Sequence, residues 1–262
     1  MEFMKLPRLI IFDWAGTLVD FGCCAPLAAF REAFETAGLR ISDEVARRPM
    51  GAHKRDHIRE ILHYPEISLR IRSVLKQEPD ELLVQTIFDE FSRRLPAQLL
   101  AHAAPVPQAV ETLRWLQEKG VRIGSTTGYT RAMMNALEPA ARASGIEPEV
   151  VVCADEVPQG RPAPWACFRI AERLNIYPLA HAIKIGDTPA DMAEGRNAGM
   201  INIGVIESGN EMGLSLEALR SLAPKPRLQR VEAAKGRLKE AGADSVLGSI
   251  ADLRSLFECG SP

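Results

Sequence analysis

The chain has 262 residues, 46% of them hydrophobic and 25% charged. That is enough for one large domain or a core with a smaller insertion, and it lies outside the range of disordered or fibrous chains. Thirty-two basic residues against 34 acidic ones leave a formal charge of -2, which gives no support to nucleic acid as the main partner.

The start, Met1-Glu2-Phe3-Met4-Lys5, is not a charged segment followed by a long apolar one, and no apolar run reaches membrane-spanning length. The expectation is a cytoplasmic protein with no membrane partner. Leu9-Ile10-Ile11-Phe12 reads as an apolar strand that ends in Asp13 and then a glycine turn, Trp14-Ala15-Gly16-Thr17. Open α/β sheets bind ligands beyond the carboxyl ends of their strands, where this carboxylate falls. From about residue 22 to 102 the pattern changes to helices, over 25–37, 51–62, 67–75 and 80–95, with few β-branched runs. Coming straight after the first strand, this stretch reads as a helical cap inserted over the strand ends, able to close a site to water. The expected division is a core of residues 1–21 and 103–262 with a cap of residues 22–102.

Beyond the insertion, strands and helices alternate. Val106, Val110, Leu113 and Leu116 recur at helical spacing up to Gly120, and an apolar strand follows over 121–125. Further strands are expected at 150–153, 182–186 and 201–206, with helices starting near Thr130, Pro164 and Pro189. A parallel, doubly wound α/β sheet is the economical arrangement of these pieces. The tail holds a charged helical stretch, 231–241, and a last strand and helix within 245–257. The five cysteines, Cys23, Cys24, Cys153, Cys167 and Cys259, are odd in number and lack CxxC spacing, so free thiols are expected rather than disulfides or structural zinc.

In a parallel sheet three more loops converge on Asp13. In Ser125-Thr126-Thr127-Gly128-Tyr129, hydroxyls and turn amides could hold phosphate oxygens, or simply cap the next helix. In Gly160-Arg161-Pro162, the guanidinium could neutralise an oxyanion or stay in solvent. In Asp187-Thr188-Pro189-Ala190-Asp191, Thr188 and Asp191 read as a helix cap with an acidic first turn, which leaves Asp187 unexplained. Asp13 and Asp187 on neighbouring strand tips suit magnesium, a cation of oxygen ligands that would remove the repulsion between a carboxylate nucleophile and a dianionic phosphorus group. Ala15 stands where a second acid could protonate a leaving oxygen, and its methyl cannot. In the insertion, Met50, Lys54 and His57 are spaced for one helical face, although spacing alone favours a solvated Lys54.

The order of strand Asp, strand Ser/Thr, basic residue and strand Asp-x-x-x-Asp resembles the haloacid dehalogenase superfamily over residues 1–21 and about 103–210. Asp13-Trp14-Ala15-Gly16-Thr17, Pro49-Met50-Gly51 with Lys54 and His57, Gly124 to Thr130, Gly160-Arg161-Pro162 and Gly186-Asp187-Thr188 to Gly199 narrow this. With them the chain is similar, through cap and core, to the phosphonoacetaldehyde hydrolase (phosphonatase) family. The resemblance implies cleavage of a carbon–phosphorus bond through a Lys54 Schiff base and an Asp13 aspartyl phosphate. It implies magnesium held by Asp13, the Ala15 carbonyl and Asp187, with Asp191 supporting. Thr127, Gly128 and Arg161 would bind phosphate, and Met50, His57, Tyr129 and Cys23 would line the Schiff-base region. A small phosphonate substrate and a homodimer joined through the cap complete the expectation. Leu18 stands where the family usually has threonine, and the resemblance gives Cys24 and His53 no role. The alternative carried beside it is a magnesium-dependent phosphate-ester phosphatase or phosphomutase of the same superfamily, which would call for an acid at Ala15. A non-catalytic regulatory module and a nicotinamide dehydrogenase are disfavoured, the first by the filled chemical positions and the second because no GxGxxG follows the first strand.

Overall fold

A computed structural model describes residues 5–257. Six parallel strands form one sheet: β1 (Leu9–Phe12), β2 (Arg122–Thr127), β3 (Val150–Cys153), β4 (Ile183–Gly186), β5 (Ile201–Val205) and β6 (Ser245–Leu247). Their order is β3-β2-β1-β4-β5-β6. The chain therefore winds outward from β1 in one direction and then from β4 in the other, and the crevice between these two strands is the switch point of a doubly wound sheet. Register pairs Phe12 with Ser125 on one side and with Ile185 on the other, so the tips of β1, β2 and β4 end at one level.

Every residue of β1 is buried, as expected of a strand covered on both faces. Its side chains alternate between two cores. Ile10 and Phe12 join Leu113 and Leu116 of α6 (Ala109–Glu118) and Met134 and Leu137 of α7 (Arg131–Ala143) in one core. Leu9 and Ile11 join Ala166, Cys167 and Ile170 of α8 (Trp165–Arg173) in the other. Helix α9 (Pro189–Asn197) lies on β4 and β5, and α11 (Pro224–Glu240) on β6.

Between β1 and α6 lies a block of helices: α1 (Cys24–Thr36), α2 (Asp43–Arg47), α3 (Lys54–His63), α4 (Pro65–Arg70), a π-helical turn at Ile71–Leu75, and α5 (Glu81–Ala101). Phe30 of α1 stacks on Phe91 of α5 at 4.3 Å, and α5 also packs on α7 of the sheet layer. Two adjacent connectors join this block to the sheet: the Asp20 amide donates to the Ala104 carbonyl, and the Val106 amide to the Leu18 carbonyl.

Several boundaries differ from the sequence expectation. Strand β2 runs on through Thr127, because pairing with β3 continues to Cys153, so Ser125, Thr126 and Thr127 are strand residues. Helix α3 begins at Lys54 instead of residue 51; Gly51 takes a left-handed turn at φ 91°, and the His53 ring accepts from the Arg55 amide. Met50 thus sits in the turn before α3 and not on its face. Helix α5 passes through Pro96 to Ala101, because Leu95 and Leu99 stay buried on the far side of it. Among the described residues no helix is long and apolar enough to cross a membrane. Cys23, Cys24, Cys153 and Cys167 are free thiols; Cys259 lies outside the described residues.

Candidate active site

Asp13 follows β1 directly, and the next residues form a tight loop in which the amides of Thr17, Leu18 and Val19 all donate to the Trp14 carbonyl. The loop closes through Gly16, at φ 82°. A side chain there would place its Cβ 2.4 Å from an Asp187 oxygen and 2.6 Å from Cys23 Sγ. Lack of a side chain at this position is what lets the tips of β1 and β4 meet.

Asp13, Asp187 and Asp191 are all buried, and one carboxylate oxygen from each lies within 4.8 Å of the others. Two buried cations divide themselves among these acids and a fourth, Glu194. Arg161 contacts Asp13 at 2.7 Å, Asp191 at 2.9 Å and Glu194 at 3.0 Å. Lys184 contacts Asp191 at 3.0 Å and Glu194 at 3.1 Å. Despite burial, which pushes it up, Asp191 is held below the usual carboxylate range by Arg161 and Lys184. Asp191 also accepts the Thr188 hydroxyl at 2.6 Å, within the capping box that starts α9.

Asp187 stands apart. Among the described residues its oxygens accept only from neutral groups: the Thr17 hydroxyl, the Cys23 thiol and the Asn210 amide, the last at 2.7 Å. Burial first, then the charges of Asp13 and Asp191, push its carboxyl well above the ordinary value. Burial and Asp191 likewise raise Asp13, against Arg161 and Lys184. A buried carboxylate without a cationic partner, facing a second carboxylate and the Ala15 loop, is an all-oxygen donor set that fits a hard divalent cation. The Ala15 carbonyl accepts from Cys23 Sγ at 3.3 Å, so this thiol touches both Ala15 and Asp187.

From β2, the Thr127 hydroxyl accepts the Tyr129 amide at 3.1 Å, which leaves its own O–H free to donate into the site. At Gly128 an added Cβ would lie 2.5 Å from the Ala52 carbonyl oxygen, so the sheet tip and the helical block meet backbone to backbone there. Arg161 enters from the loop after β3, donating to the Thr126 carbonyl at 2.9 Å and to the Thr126 hydroxyl at 2.7 Å.

The helical block supplies an amine. Lys54, the first residue of α3, is 3% exposed; its Nζ is 3.9 Å from Met50 Sδ and 5.0 Å from the centre of the Tyr129 ring. Burial lowers its pKa from 10.5 to about 8, with Arg161 pulling the same way and Asp13, Cys23 and Asp187 opposing. One turn on, the His57 ring stacks on Phe30 at 4.0 Å and lies 2.9 Å from the Ala46 carbonyl through Nε2. A carbonyl can only accept, so Nε2 carries the hydrogen. Burial and the Lys54 charge push His57 well below its ordinary value, leaving a neutral ring whose Nδ1 has no hydrogen-bond partner among the described residues. Burial also drives the Tyr129 and Cys23 pKa values well up, so both stay protonated.

Asp13, Ala15, Cys23, Met50, Lys54, Thr127, Gly128 and Tyr129 all line one small pocket of about 20 Å³. Arg161 and Asp187 are not in its lining but contact residues that are, Arg161 touching Asp13 and Asp187 touching Cys23. Lys184 and Glu194, absent from the sequence reading, tie Arg161 and Asp191 together: Lys184 Nζ donates to the Thr126 hydroxyl at 2.8 Å, and that hydroxyl donates to Glu194 at 2.8 Å. A lysine inside the apolar strand Ile183-Lys184-Ile185 was the available signal, since a wholly buried strand offers a lysine no water.

A family model described as haloacid dehalogenase-like hydrolase matches residues 7–199. Phosphonoacetaldehyde hydrolases of Bacillus thuringiensis subsp. konkukian and Bacillus anthracis are each 43% identical over 255 residues, 97% of this chain and 96% of theirs. The crystal structure of a phosphonoacetaldehyde hydrolase-like protein from Oleispira antarctica superimposes with a TM-score of 0.92 at 32% identity, covering 100% of this chain and 98% of that one.

Proposed function

The chain belongs to the haloacid dehalogenase-like hydrolases and, within them, to the phosphonoacetaldehyde hydrolase family, and from this we propose that it hydrolyses phosphonoacetaldehyde to acetaldehyde and phosphate. The observation that carries the reading is Lys54: a buried amine, lowered to about 8, in the same small pocket as Asp13, with Ala15 where an oxygen-protonating acid would stand.

Direct cleavage of the carbon–phosphorus bond would expel a carbanion. Lys54 avoids this by condensing, in its neutral form, with the substrate aldehyde and taking up one proton from solvent to give an iminium and water. Asp13 attacks phosphorus, and the electron pair of the breaking bond moves into the iminium, so carbon leaves as a neutral enamine. Protonation and hydrolysis of the enamine release acetaldehyde and return the amine. Water then hydrolyses the aspartyl phosphate. Arg161 favours the ionised form of Asp13 through their 2.7 Å contact, against burial and Asp191, and turns to phosphate oxygens as substrate enters. The Thr127 hydroxyl and the Gly128 turn hold the same oxygens. Neutral His57, with Nδ1 open, and Tyr129 and Cys23 beside Lys54 relay protons and water around the imine, while Met50 packs against the amine. Asp13, the Ala15 carbonyl and Asp187, with Asp191 supporting, would hold magnesium, which would supply charge neutralisation for the phosphorus oxyanions and for the repulsion among these acids.

Residues 22–102 act as the cap over a core of residues 1–21 and 103–262, and the working form is a cytoplasmic homodimer joined through the cap. Leu69, Val74 and Leu82, each exposed on the helical block, support the dimer reading. The test of the chemistry is borohydride trapping. Reduction in the presence of substrate or acetaldehyde should add a two-carbon group to Lys54, read by peptide mass. An unlabelled Lys54, or a Lys54→Ala variant that turns over sugar phosphates, would instead favour an ordinary phosphatase.

A further inference from the structure

A second cluster of ligating side chains sits away from the site, where the helical block joins the sheet. Asp20 and Cys24 belong to the first connector, and His102, at the end of α5, to the second. Their donor atoms, a carboxylate oxygen, Cys24 Sγ and a ring nitrogen of His102, all lie within 4.8 Å of one another. We propose that Asp20, Cys24 and His102 form a binding site for a soft divalent cation of the zinc type, and that the bound ion clamps the two connectors together.

Three observations support the site. First, His102 Nδ1 is 3.7 Å from Asp20 Oδ1, too long for a hydrogen bond yet matching the edge of a tetrahedral zinc shell, about 3.3–3.8 Å. Second, the Asp20 carboxylate is oriented in advance: its two oxygens accept the Cys24 and Ala25 amides at 2.9 and 3.1 Å, and its backbone is held at φ 55°. Burial pushes this carboxyl up to about 6 against those bonds, so its charge is only partly compensated. Third, Cys24 and the 38% exposed His102 side chain are within reach of solvent, which gives an ion an entry path and a water for the fourth position. Burial and the Asp20 charge push the Cys24 thiol up, against Arg47, so an ion has to displace the thiol proton; Arg47's own hydrogen bonds go to the Gly22 carbonyl and Asn210. Oxygen, nitrogen and sulfur donors together select zinc-like ions over magnesium, and binding would send the Cys24 thiol proton to solvent.

The consequence for turnover rests on the function proposed above. The candidate active site is lined from both sides, by Asp13 and Thr127 of the sheet tips and by Met50 and Lys54 of the helical block, so a shift of the block about these connectors would open or tighten it, and an ion joining them would hold the block in one position. The cation site itself does not depend on the reaction. Cobalt(II) titrated into full-length protein saturated with magnesium should give, at one equivalent, a thiolate-to-cobalt charge-transfer band and tetrahedral d–d bands. Both should vanish in Cys24→Ser and in His102→Ala, whose melting curves check that they fold. Zinc should displace the cobalt spectrum and slow hydrolysis by the wild type while leaving His102→Ala unaffected. No band in the wild type, or a band that survives in Cys24→Ser and therefore comes from another thiol, would overturn the site. Zinc that binds without slowing hydrolysis would overturn the clamp.

Discussion

At the scale of single residues, Lys54 carries a conflict between stability and chemistry. Its amine is buried with a pKa of about 8 against an ordinary 10.5. Between those two values the unfolded chain binds more protons than the folded one, so the Lys54 contribution makes stability rise with pH across that window. Below pH 8 the folded protein must hold a buried charge. Lys54→Met should therefore raise stability at pH 7, by up to about 3 kcal/mol, while abolishing hydrolysis of phosphonoacetaldehyde. Urea midpoints of the two proteins decide this, and a less stable variant would show that the Tyr129 and Met50 contacts outweigh desolvation. The same deprotonation should set the rising limb of the pH profile: kcat/KM increases with pH through about 8, and a profile flat from pH 6 to pH 9, roughly two units around that value, would remove Lys54 from the chemistry. At this scale the sequence was legible for acids at strand tips and much less so for Lys54, whose spacing described a surface lysine. Lys184 and Glu194 escaped altogether, because a buried charge is tolerable only beside partners that are far away in sequence.

At the scale of elements, the contact between the β2 tip and the turn before α3 decides how closely the helical block seats. Gly128 faces the carbonyls of Gly51 and Ala52 with no room for a methyl. Gly128→Ala should leave far-UV circular dichroism unchanged but lower kcat/KM by roughly tenfold or more, since misplacement by about 1 Å is enough to cost that. Unchanged kinetics would mean that the block seats elsewhere. Periodicity located most elements here, and two of its errors share one cause. Strand β2 grew to Thr127, and α5 ran through Pro96, because pairing and packing partners continued past the local stop signals.

At the scale of the molecule, three buried acids, Asp13, Asp191 and Glu194, share two buried cations, and the fourth, Asp187, has neither of them. Removing divalent ions with a chelator should stop hydrolysis and lower the melting temperature, and magnesium should restore both, because the ion binds the folded site and not the unfolded chain. Full activity after exhaustive chelation would rule out the assigned metal role. For the proposed dimer, Leu69→Glu combined with Leu82→Glu should yield a monomer in sedimentation velocity, as charge replaces two exposed apolar side chains. A species that sediments as wild type would place the interface away from these residues.

By itself the sequence determined the parallel sheet, the position of Asp13 and Asp187 at adjacent strand tips, and the helix cap of Thr188 and Asp191. These follow from local patterns: apolar strands, short turns and capping residues close together in the chain. Only the tertiary structure decided that Lys54 is buried with a lowered pKa, that Arg161 is shared among three acids, and that Asp20, Cys24 and His102 meet where the helical block joins the sheet. Each of those depends on desolvation and on charges brought together by folding, which no window of the sequence contains.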